Sequence, residues 1–407
     1  MASISTHKRT IPLSSTATQP SSRREGDERC LMEVTSLPTA AGRESRVIDW
    51  VRGWAAKRDN LRIEIDASGN VLLSRQGKPR RRGGPAPLLI TAHLDHPAFV
   101  VRSIIDSTSV ELEFRGGVHD PYFTNAAIEI FDAADRAHRA RIQSLDAGAK
   151  PFKRITARLE LPADSIQPGD VGRWRFEHEK KPVPRIEDGL LHTHACDDLA
   201  AVAAALCVLD VLREVKGCEH VGLLLTRAEE VGFIGAIAAC KNKTVARNAR
   251  LICLENSRSF PHDSPVGAGP IVRVGDKLSV FEPTLTNQIS MLMMEHQKAA
   301  PHFRYQRKLM PGGTCEATTF STFGYQSTCL CLPLGNYHNM IDIDGVTSGA
   351  SRSPHAHVGP EFISLSDYHG LIEMLIVCAT QMDAAGAPTL KGRMNDSFKD
   401  FGFVLDT

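Results

Sequence analysis

Five residues that can bind metal ions occur where strand-like apolar runs end or where the next helix begins. Their nitrogen and oxygen donor atoms, without a thiolate, suit zinc and would also accept cobalt or manganese. In an open α/β sheet the carboxyl ends of the strands share one edge, so residues far apart in the chain can meet in one crevice. The five candidates are His93, Asp197, Glu230, Glu255 and His338.

Each candidate also has an ordinary structural interpretation. His93 and Asp95 could form a hydrogen-bonded pair at a sheet edge, and Asp197 could lie at the N-terminus of an apolar helix, where negative charge is favoured. Glu230 could lie at a solvated helix start. Glu255 is harder to explain in this way, because it ends a buried apolar run and a buried carboxylate needs a partner.

The elements that would position these residues alternate between strands and helices. A strand-like apolar run precedes His93, and similar runs precede or contain the later candidates. Stretches with helical spacing of apolar residues lie between these runs. This alternation predicts an α/β fold with a doubly wound, mostly parallel sheet flanked by helices. The strands are expected at 87–91, 221–226, 251–254 and 328–334, and the main helices at 198–215, 231–240, 284–299 and 367–382.

The domain organisation follows from changes in sequence texture. Residues 100–187 contain short β-type runs separated by Gly, Pro and Asp turns, which predicts a small all-β domain inserted into the α/β domain. The catalytic α/β domain is then expected at 30–99 and 188–383, with a C-terminal tail at 384–407. Residues 1–29 are rich in Ser, Thr, Arg and Pro and have no apolar signal segment, which predicts a disordered tail.

Composition limits the class of protein. The 407 residues carry 48 Lys+Arg against 47 Asp+Glu, a net charge of +1, so bulk electrostatics gives no reason to expect nucleic-acid or membrane partners. No uninterrupted apolar run approaches the length of a membrane span. The ten cysteines form no CxxC pairs, which predicts buried free thiols and a cytoplasmic protein.

The order and spacing of the motifs, taken together, are more specific than any one of them. They are AHLD at 92–95, DD at 197–198, EE at 229–230, the strand-terminal Glu255 and YHN at 337–339. In this order the chain resembles the co-catalytic di-zinc metallopeptidases. It is most similar to the glutamyl and deblocking aminopeptidases that assemble as tetrahedral particles. The likeness extends from about residue 30 to residue 383.

The resemblance implies a role for each candidate ligand. Asp197 would bridge two divalent ions about 3.5 to 4 Å apart. His93 and Glu255 would complete the ligands of one ion, and Glu230 and His338 those of the other. The resemblance also implies a homo-oligomer, with the inserted β-domain contributing to assembly and to substrate access.

Three further roles are implied for the neighbours of these ligands. Glu229 would be the general base that takes a proton from the metal-bridging water and passes it to the leaving amine. Asp95 would accept the second imidazole N–H of His93. Asp198 would be joined to Asp197 by a cis peptide bond.

Two departures from the family pattern leave the substrate open. Related aminopeptidases usually carry Asp at the position of Glu255, whereas Glu is commoner in the carboxypeptidases and deacylases of the same clan. Cys315 and Glu316 replace the usual Asp-Ala pair. We therefore expect an aminopeptidase that hydrolyses N-terminal residues from short peptides, with a carboxypeptidase or N-acyl amino acid deacylase as the alternative.

Two other classes explain the sequence less well. A non-enzymatic assembly unit would not need the complete set of ligand and base positions. Glycoside hydrolysis by paired carboxylates would use the acids but would leave His93 and His338 without a role.

Overall fold

The computed structural model describes residues 21–76, 84–351 and 356–405. The basic segment Lys78–Arg82, whose charge run predicts a solvated loop, and His355 of the predicted 355–357 loop lie outside these ranges. Within the described residues, no helix is long and apolar enough to cross a membrane. The helices are α1 (Ser21–Thr35), α2 (Ser45–Ala56), α3 (Leu199–Leu212), α4 (Ile234–Lys241), α5 (Pro283–Ala299), α6 (Glu316–Thr322), α7 (Ile343–Ser348), α8 (Leu365–Gln381) and α9 (Leu390–Phe401).

The strands form three assemblies, which are a main sheet, a three-stranded sheet and a closed barrel. In chain order the strands are β1 (Leu61–Ile65), β2 (Val71–Arg75), β3 (Leu88–His93), β4 (Ala98–Asp106), β5 (Ser109–Arg115), β6 (Ala127–Phe131), β7 (Ala137–Asp146), β8 (Lys153–Leu159), β9 (Val171–Trp174), β10 (Arg185–Glu187), β11 (Leu190–Thr193), β12 (Val221–Thr226), β13 (Arg250–Arg258), β14 (Ile271–Gly275), β15 (Gln306–Leu309), β16 (Gln326–Leu334) and β17 (Glu361–Ser364).

The main sheet has eight strands in the order β1-β2-β12-β3-β13-β16-β14-β15. Its four central strands, β12, β3, β13 and β16, are parallel. β2 pairs antiparallel with β12, and β14 pairs antiparallel with β16 but parallel with β15. The predicted α/β class is therefore confirmed, with a mixed sheet. The four parallel strands end at the same edge, which is where the candidate ligands lie.

The central strands each contain an uninterrupted apolar run, because both faces of the sheet are covered. In β13, Ile252 and Leu254 belong to the core on the side of α3 and α8, while Leu251 and Cys253 belong to the core on the side of α4 and α6. Alternate residues of a strand point to opposite faces, so a strand covered twice has no polar face. This explains the short uninterrupted apolar runs in the sequence.

The closed barrel occupies the chain between β3 and β10. Its six strands follow the order β4-β5-β8-β7-β6-β9, and its interior forms an apolar cluster distinct from the cores of the main sheet. Met340 and Val358 also join this cluster. Four aromatic rings, those of Phe99, Phe114, Phe123 and Trp174, pack edge to face or tilted at its centre, with Phe99 and Trp174 centroids 4.7 Å apart. Aromatic clusters of this kind stabilise a small barrel that has few helices to cover it.

The predicted disordered tail at 1–29 is wrong for its last nine residues, which are the start of α1. Leu31 and Val34 of α1 are fully buried in the core against α3, and the Arg23 guanidinium donates a hydrogen bond to the Cys207 carbonyl. The polar composition of this segment gave no indication of a helix. The helix is stabilised by tertiary contacts rather than by the helix propensity of its residues. Residues 1–20 lie outside the described part of the chain. The predicted C-terminal tail contains α9.

Candidate metal centre

The five candidate ligands meet at the carboxyl edge of the parallel strands. His93 is the last residue of β3, and Glu255 lies in the second half of β13. His93 Nε2 is 3.3 Å from Asp197 Oδ1 and 3.7 Å from Glu255 Oε1. These three residues form one group whose donor atoms could hold a metal ion.

A second group of donors lies on the other side of Asp197. His338 Nε2 is 3.4 Å from Asp197 Oδ2 and 3.5 Å from Glu230 Oε1. Asp197 thus presents one carboxylate oxygen to each histidine. This is the arrangement that a carboxylate bridging two cations requires.

Both histidines are oriented by hydrogen bonds on the opposite side of the ring. His93 Nδ1 lies 3.1 Å from the Asp95 carbonyl oxygen, and His338 Nδ1 lies 2.7 Å from the Gly117 carbonyl oxygen. Because a carbonyl only accepts, each Nδ1 carries a proton, and each Nε2 is the ring nitrogen that faces the carboxylates. Nε2, once deprotonated, is therefore the atom that would bind a metal ion.

One buried atom of each candidate ligand has no hydrogen-bond partner among the described residues. A buried polar atom without a partner costs about 1 to 3 kcal/mol, so five such atoms at one place need a common explanation. Divalent cations would supply the missing partner for all of them. The five atoms are His93 Nε2, Asp197 Oδ1, Glu230 Oε1, Glu255 Oε2 and His338 Nε2.

Burial and the crowding of charges shift the pKa values of the candidate ligands. Burial raises the pKa of Glu230 to about 8, and it also raises the pKa of Glu255, with repulsion from Asp197 as the next cause. Burial alone would lower the pKa of His338, but Glu230 and Asp197 raise it to about 10. The same opposition operates at His93, where Glu229 and Asp197 overcome burial and raise the pKa. Such crowding is characteristic of sites that bind cations.

Asp95 supports the centre in a different way from the one predicted. Its carboxylate is 3.6 Å from His93 Nδ1, beyond hydrogen-bonding distance, and the residue's own carbonyl accepts from the ring instead. The two carboxylate oxygens accept the backbone N–H groups of Glu229 and Glu230 at 3.0 and 3.1 Å. Asp95 therefore joins the ligand on β3 to the two glutamates that follow β12.

Asp198 is linked to Asp197 by a cis peptide bond, as the resemblance implies. Its Oδ2 accepts the backbone N–H of His93 at 3.2 Å, and its Oδ1 accepts from the Asn256 amide at 2.7 Å. Asn256 also donates to the Cys196 carbonyl. These bonds connect the start of α3 to two neighbouring strand ends.

Glu361 is a residue of this centre that the sequence analysis missed. It is fully buried, and burial raises its pKa to about 8. Its Oε2 accepts the backbone N–H groups of Cys196 and Asp197 at 2.6 and 3.0 Å, while Oε1 accepts that of His338 at 2.8 Å. A glutamate at the start of a short strand carries no sequence signal of this role, because all three partners are distant in the chain.

Glu229 is buried beside the ligands and does not lie on a solvated helix. Its Oε2 is 3.9 Å from His93 Nε2, and burial raises its pKa well above the usual range. The residue lies in a loop before α4, where Gly232 has φ = 113° and Phe233 has φ = 62°. Because of this turn, α4 begins at Ile234, three residues later than the sequence pattern predicts, and both glutamates stay near the centre.

A cavity of about 490 Å³ lies beside the centre, and Glu255 and His338 form part of its wall. Tyr337 stacks on His338 with ring centroids 3.7 Å apart. The far wall includes Arg258, whose guanidinium lies over the Phe260 ring and pairs with Asp344. The size of this space suits an amino acid side chain or a short peptide.

The other histidines near the centre do not supply ligand atoms to it. His96 lies behind Asp197, with Nδ1 against the Asp197 carbonyl and Nε2 3.1 Å from Asn339 Oδ1. Burial and the neighbouring His338 lower the pKa of His96 to about 4. His194 stacks on Phe176, away from the ligands.

The chain is similar in sequence and in fold to known peptidases. Residues 155–350 match the family model described as M42 glutamyl aminopeptidase. An aminopeptidase from Desulfurococcus kamchatkensis superposes with a TM-score of 0.67 at 17% identity, over 90% of this chain and 99% of that chain. A TET aminopeptidase from Thaumarchaeota archaeon SCGC AB-539-E09 gives 0.68 at 17% identity, over 88% and 98%.

The TET1 peptidase of Pyrococcus horikoshii, which can assemble into a tetrahedron or a large octahedral shell, gives a TM-score of 0.65 at 16% identity. The match covers 87% of this chain and 99% of that one. At such identities the structural likeness shows a common fold, while the family match gives the class of enzyme. The resemblance predicted from the sequence motifs is thereby confirmed, and the chain is a peptidase hydrolase similar to the M42 glutamyl aminopeptidases.

Proposed function

We propose that the protein is a metallo-aminopeptidase that removes N-terminal residues from short peptides with the help of two divalent ions, zinc in the first place. One observation carries this proposal. Five buried donor atoms from five separate chain segments converge without hydrogen-bond partners of their own. His93 and Glu255 would hold one ion, Glu230 and His338 the other, and Asp197 would bridge them.

The residues around the ligands have distinct tasks in this proposal. When bound, the two ions polarise the scissile carbonyl and lower the pKa of water. Glu229 is the general base, because it is buried next to the ligands while Glu230 already supplies the ligand oxygen. It takes the proton from the attacking water and delivers it to the amine that leaves. Asp95 and Glu361 act as positioning residues through their backbone hydrogen bonds.

We also propose that residues 30–99 and 188–383 form a doubly wound catalytic domain and that residues 100–187 form an inserted β-domain. The separate apolar core of the barrel supports this division. The inserted domain contributes to substrate access, because Gly117, Val118 and His119 line the cavity beside the ligands.

Self-association and a cytoplasmic location complete the proposal. Assembly is supported by the TET1 peptidase of the same fold, which forms closed shells. Ten free and buried cysteines support a reducing compartment.

The direct test is incubation of zinc-loaded protein with a defined peptide in three forms, with free termini, with an acetylated N-terminus and with an amidated C-terminus. An aminopeptidase shortens the free and the amidated peptides from the N-terminus and leaves the acetylated one intact. Elemental analysis of the same sample should find two zinc ions per chain. Protein that retains no divalent ion at saturating zinc would contradict the proposal.

A carboxypeptidase or N-acyl amino acid deacylase is the second candidate, and the position of Arg258 favours it. This guanidinium lines the same cavity as Glu255, and its partner Asp344 is largely exposed, so the pair is weak. An arginine in this place could bind the terminal carboxylate of a substrate. Shortening of the acetylated peptide from its C-terminus, with no action on the amidated one, would select this candidate.

A further inference from the structure

The helix α9 carries an apolar stripe that nothing among the described residues covers. Leu390, Met394, Phe398 and Phe401 follow one another at intervals of four, four and three residues, so they lie along one face. None of the residues of α9 is buried, and Phe398 and Phe401 are 69% and 64% exposed. The apolar surface continues through 403–405, which are equally exposed.

Such a helix is unstable without a partner. An isolated helix of about 12 residues is marginal in water, and α9 makes only peripheral contact with the body of the protein, including that of Arg393 with Met294 on α5. Its exposed apolar side chains, with those of 403–405, present on the order of 700 Å². This exceeds the largest apolar patch of a typical monomer and approaches the roughly 800 Å² that one partner buries in a stable complex.

We propose that α9 is a dimerisation helix, which packs antiparallel against α9 of a second copy of this chain. The distribution of charge supports this partner. Arg393 and Asp400 are seven residues apart and so lie on the same flank of the apolar stripe. In an antiparallel pair the first half of one helix faces the second half of the other, so each Arg393 lies beside the partner's Asp400. Met394 then packs against Phe398 across the pair.

The polar face of α9 argues against a lipid surface as the partner. Lys391, Arg393 and Lys399 alternate with Asp396 and Asp400, so the helix is close to neutral. Helices that bind anionic membranes carry mainly Lys and Arg on their polar face. Two identical helices in contact are related by a two-fold axis, which gives the self-association proposed above a defined interface. This interface is independent of the metal centre.

The mass of the full-length protein in solution tests the inference. We expect wild type to be a dimer or a multiple of a dimer by light scattering at micromolar concentration. The variant with Phe398→Asp and Phe401→Asp should give a species of half that mass or smaller. Its circular dichroism and its zinc content should match wild type, since no residue of α9 lines the cavity. A monomeric wild type, or an unchanged mass in the variant, would overturn the inference whether or not the protein is a peptidase.

A charge exchange tests the antiparallel arrangement itself. Arg393→Glu alone or Asp400→Arg alone places like charges together at both ends of the pair and should weaken dimerisation roughly tenfold. The double variant with both changes restores opposite charges and should recover the wild-type dissociation constant. A double variant as weak as the single ones would reject the antiparallel pair. The alternative is that α9 binds a membrane surface. Wild type would then co-sediment with phosphatidylcholine and phosphatidylserine vesicles, and the variant with Phe398→Asp and Phe401→Asp would not.

Discussion

Two clusters of polar side chains, one at the strand ends of the main sheet and one in the barrel, contain residue types that enzymes use for catalysis. In the barrel, Asp132 Oδ2 accepts hydrogen bonds from Ser165 Oγ at 2.7 Å and from His138 Nε2 at 2.9 Å. The combination of Ser, His and Asp is that of a hydrolase triad. Its geometry is different, because the serine and the histidine share one carboxylate oxygen instead of forming a relay.

The two clusters differ in which of their polar atoms have hydrogen-bond partners. Asp132 Oδ1 accepts the backbone N–H groups of Ala134 and Arg136, so both its oxygens are satisfied and the carboxylate fixes a turn. The bonds from His138 and Ser165 lower the pKa of Asp132. In the metal centre burial dominates and the carboxyl pKa values of Glu230 and Glu255 rise instead. Unpartnered donor atoms, rather than residue types, separate a binding site from a structural network.

The largest expected difference is between two variants, each of which replaces the histidine of one cluster by alanine. His338→Ala removes a proposed ligand and the contact to Gly117, so we expect loss of one zinc ion and a fall in peptidase activity on the order of 1000-fold. His138→Ala is the matched control and should keep two zinc ions and full activity. Elemental analysis and initial rates on a short peptide measure both. Equal losses of zinc and of activity in the two variants would contradict the proposed difference in function between the two clusters.

Glu229→Gln should separate catalysis from metal binding. The change keeps the shape of the side chain and removes the proposed general base, so the rate should fall on the order of 100-fold while two zinc ions stay bound. Glu111→Gln, on a strand of the barrel, should leave the rate unchanged. A zinc content that falls with the rate would show that Glu229 acts as a ligand.

Replacing 100–187 by a short Gly/Ser linker tests how far the two regions are independent. The α/β part should fold, bind two metals and sediment as a smaller species than wild type. Loss of the Gly117 carbonyl, which orients His338, should weaken zinc binding by about 10-fold to 100-fold. Titration calorimetry and sedimentation measure the two effects. A truncated protein with the full-length assembly size would exclude the inserted domain from self-association.

The smallest effect is expected from Asp132→Asn. The lost hydrogen bonds should lower the unfolding temperature by a few degrees at pH 7 without changing the zinc content. Because the pKa of Asp132 in the folded protein lies below the usual 3.8, its contribution is present above about pH 4 and disappears as the pH falls towards the lower value. The difference between wild type and variant should therefore shrink in acid. A difference that is constant from pH 7 to pH 3 would contradict this role.

The α/β class and the convergence of the five candidate ligands at one place could be predicted from the sequence, because the ends of parallel strands share one edge. His93, Asp197 and Glu255 each follow or end an apolar run, which is a local signal. Glu361 and the Gly117 carbonyl could not be found in this way, since their roles depend on contacts across the fold. The same is true of the first residues of α1, whose polar sequence is held by tertiary packing.

The position of Glu361 in the chain has a consequence for the order of events during synthesis. This residue fixes the backbone at Asp197 and His338, yet roughly nine tenths of the chain precede it. Since a nascent chain emerges from its N-terminus at about 5 to 20 residues per second, His93 and the barrel are exposed for many seconds before Glu361 exists. A partial chain that ends before Glu361 therefore lacks the carboxylate that accepts the backbone N–H groups of Asp197 and His338. We therefore expect the backbone around the candidate ligands to be fixed only when translation is nearly finished.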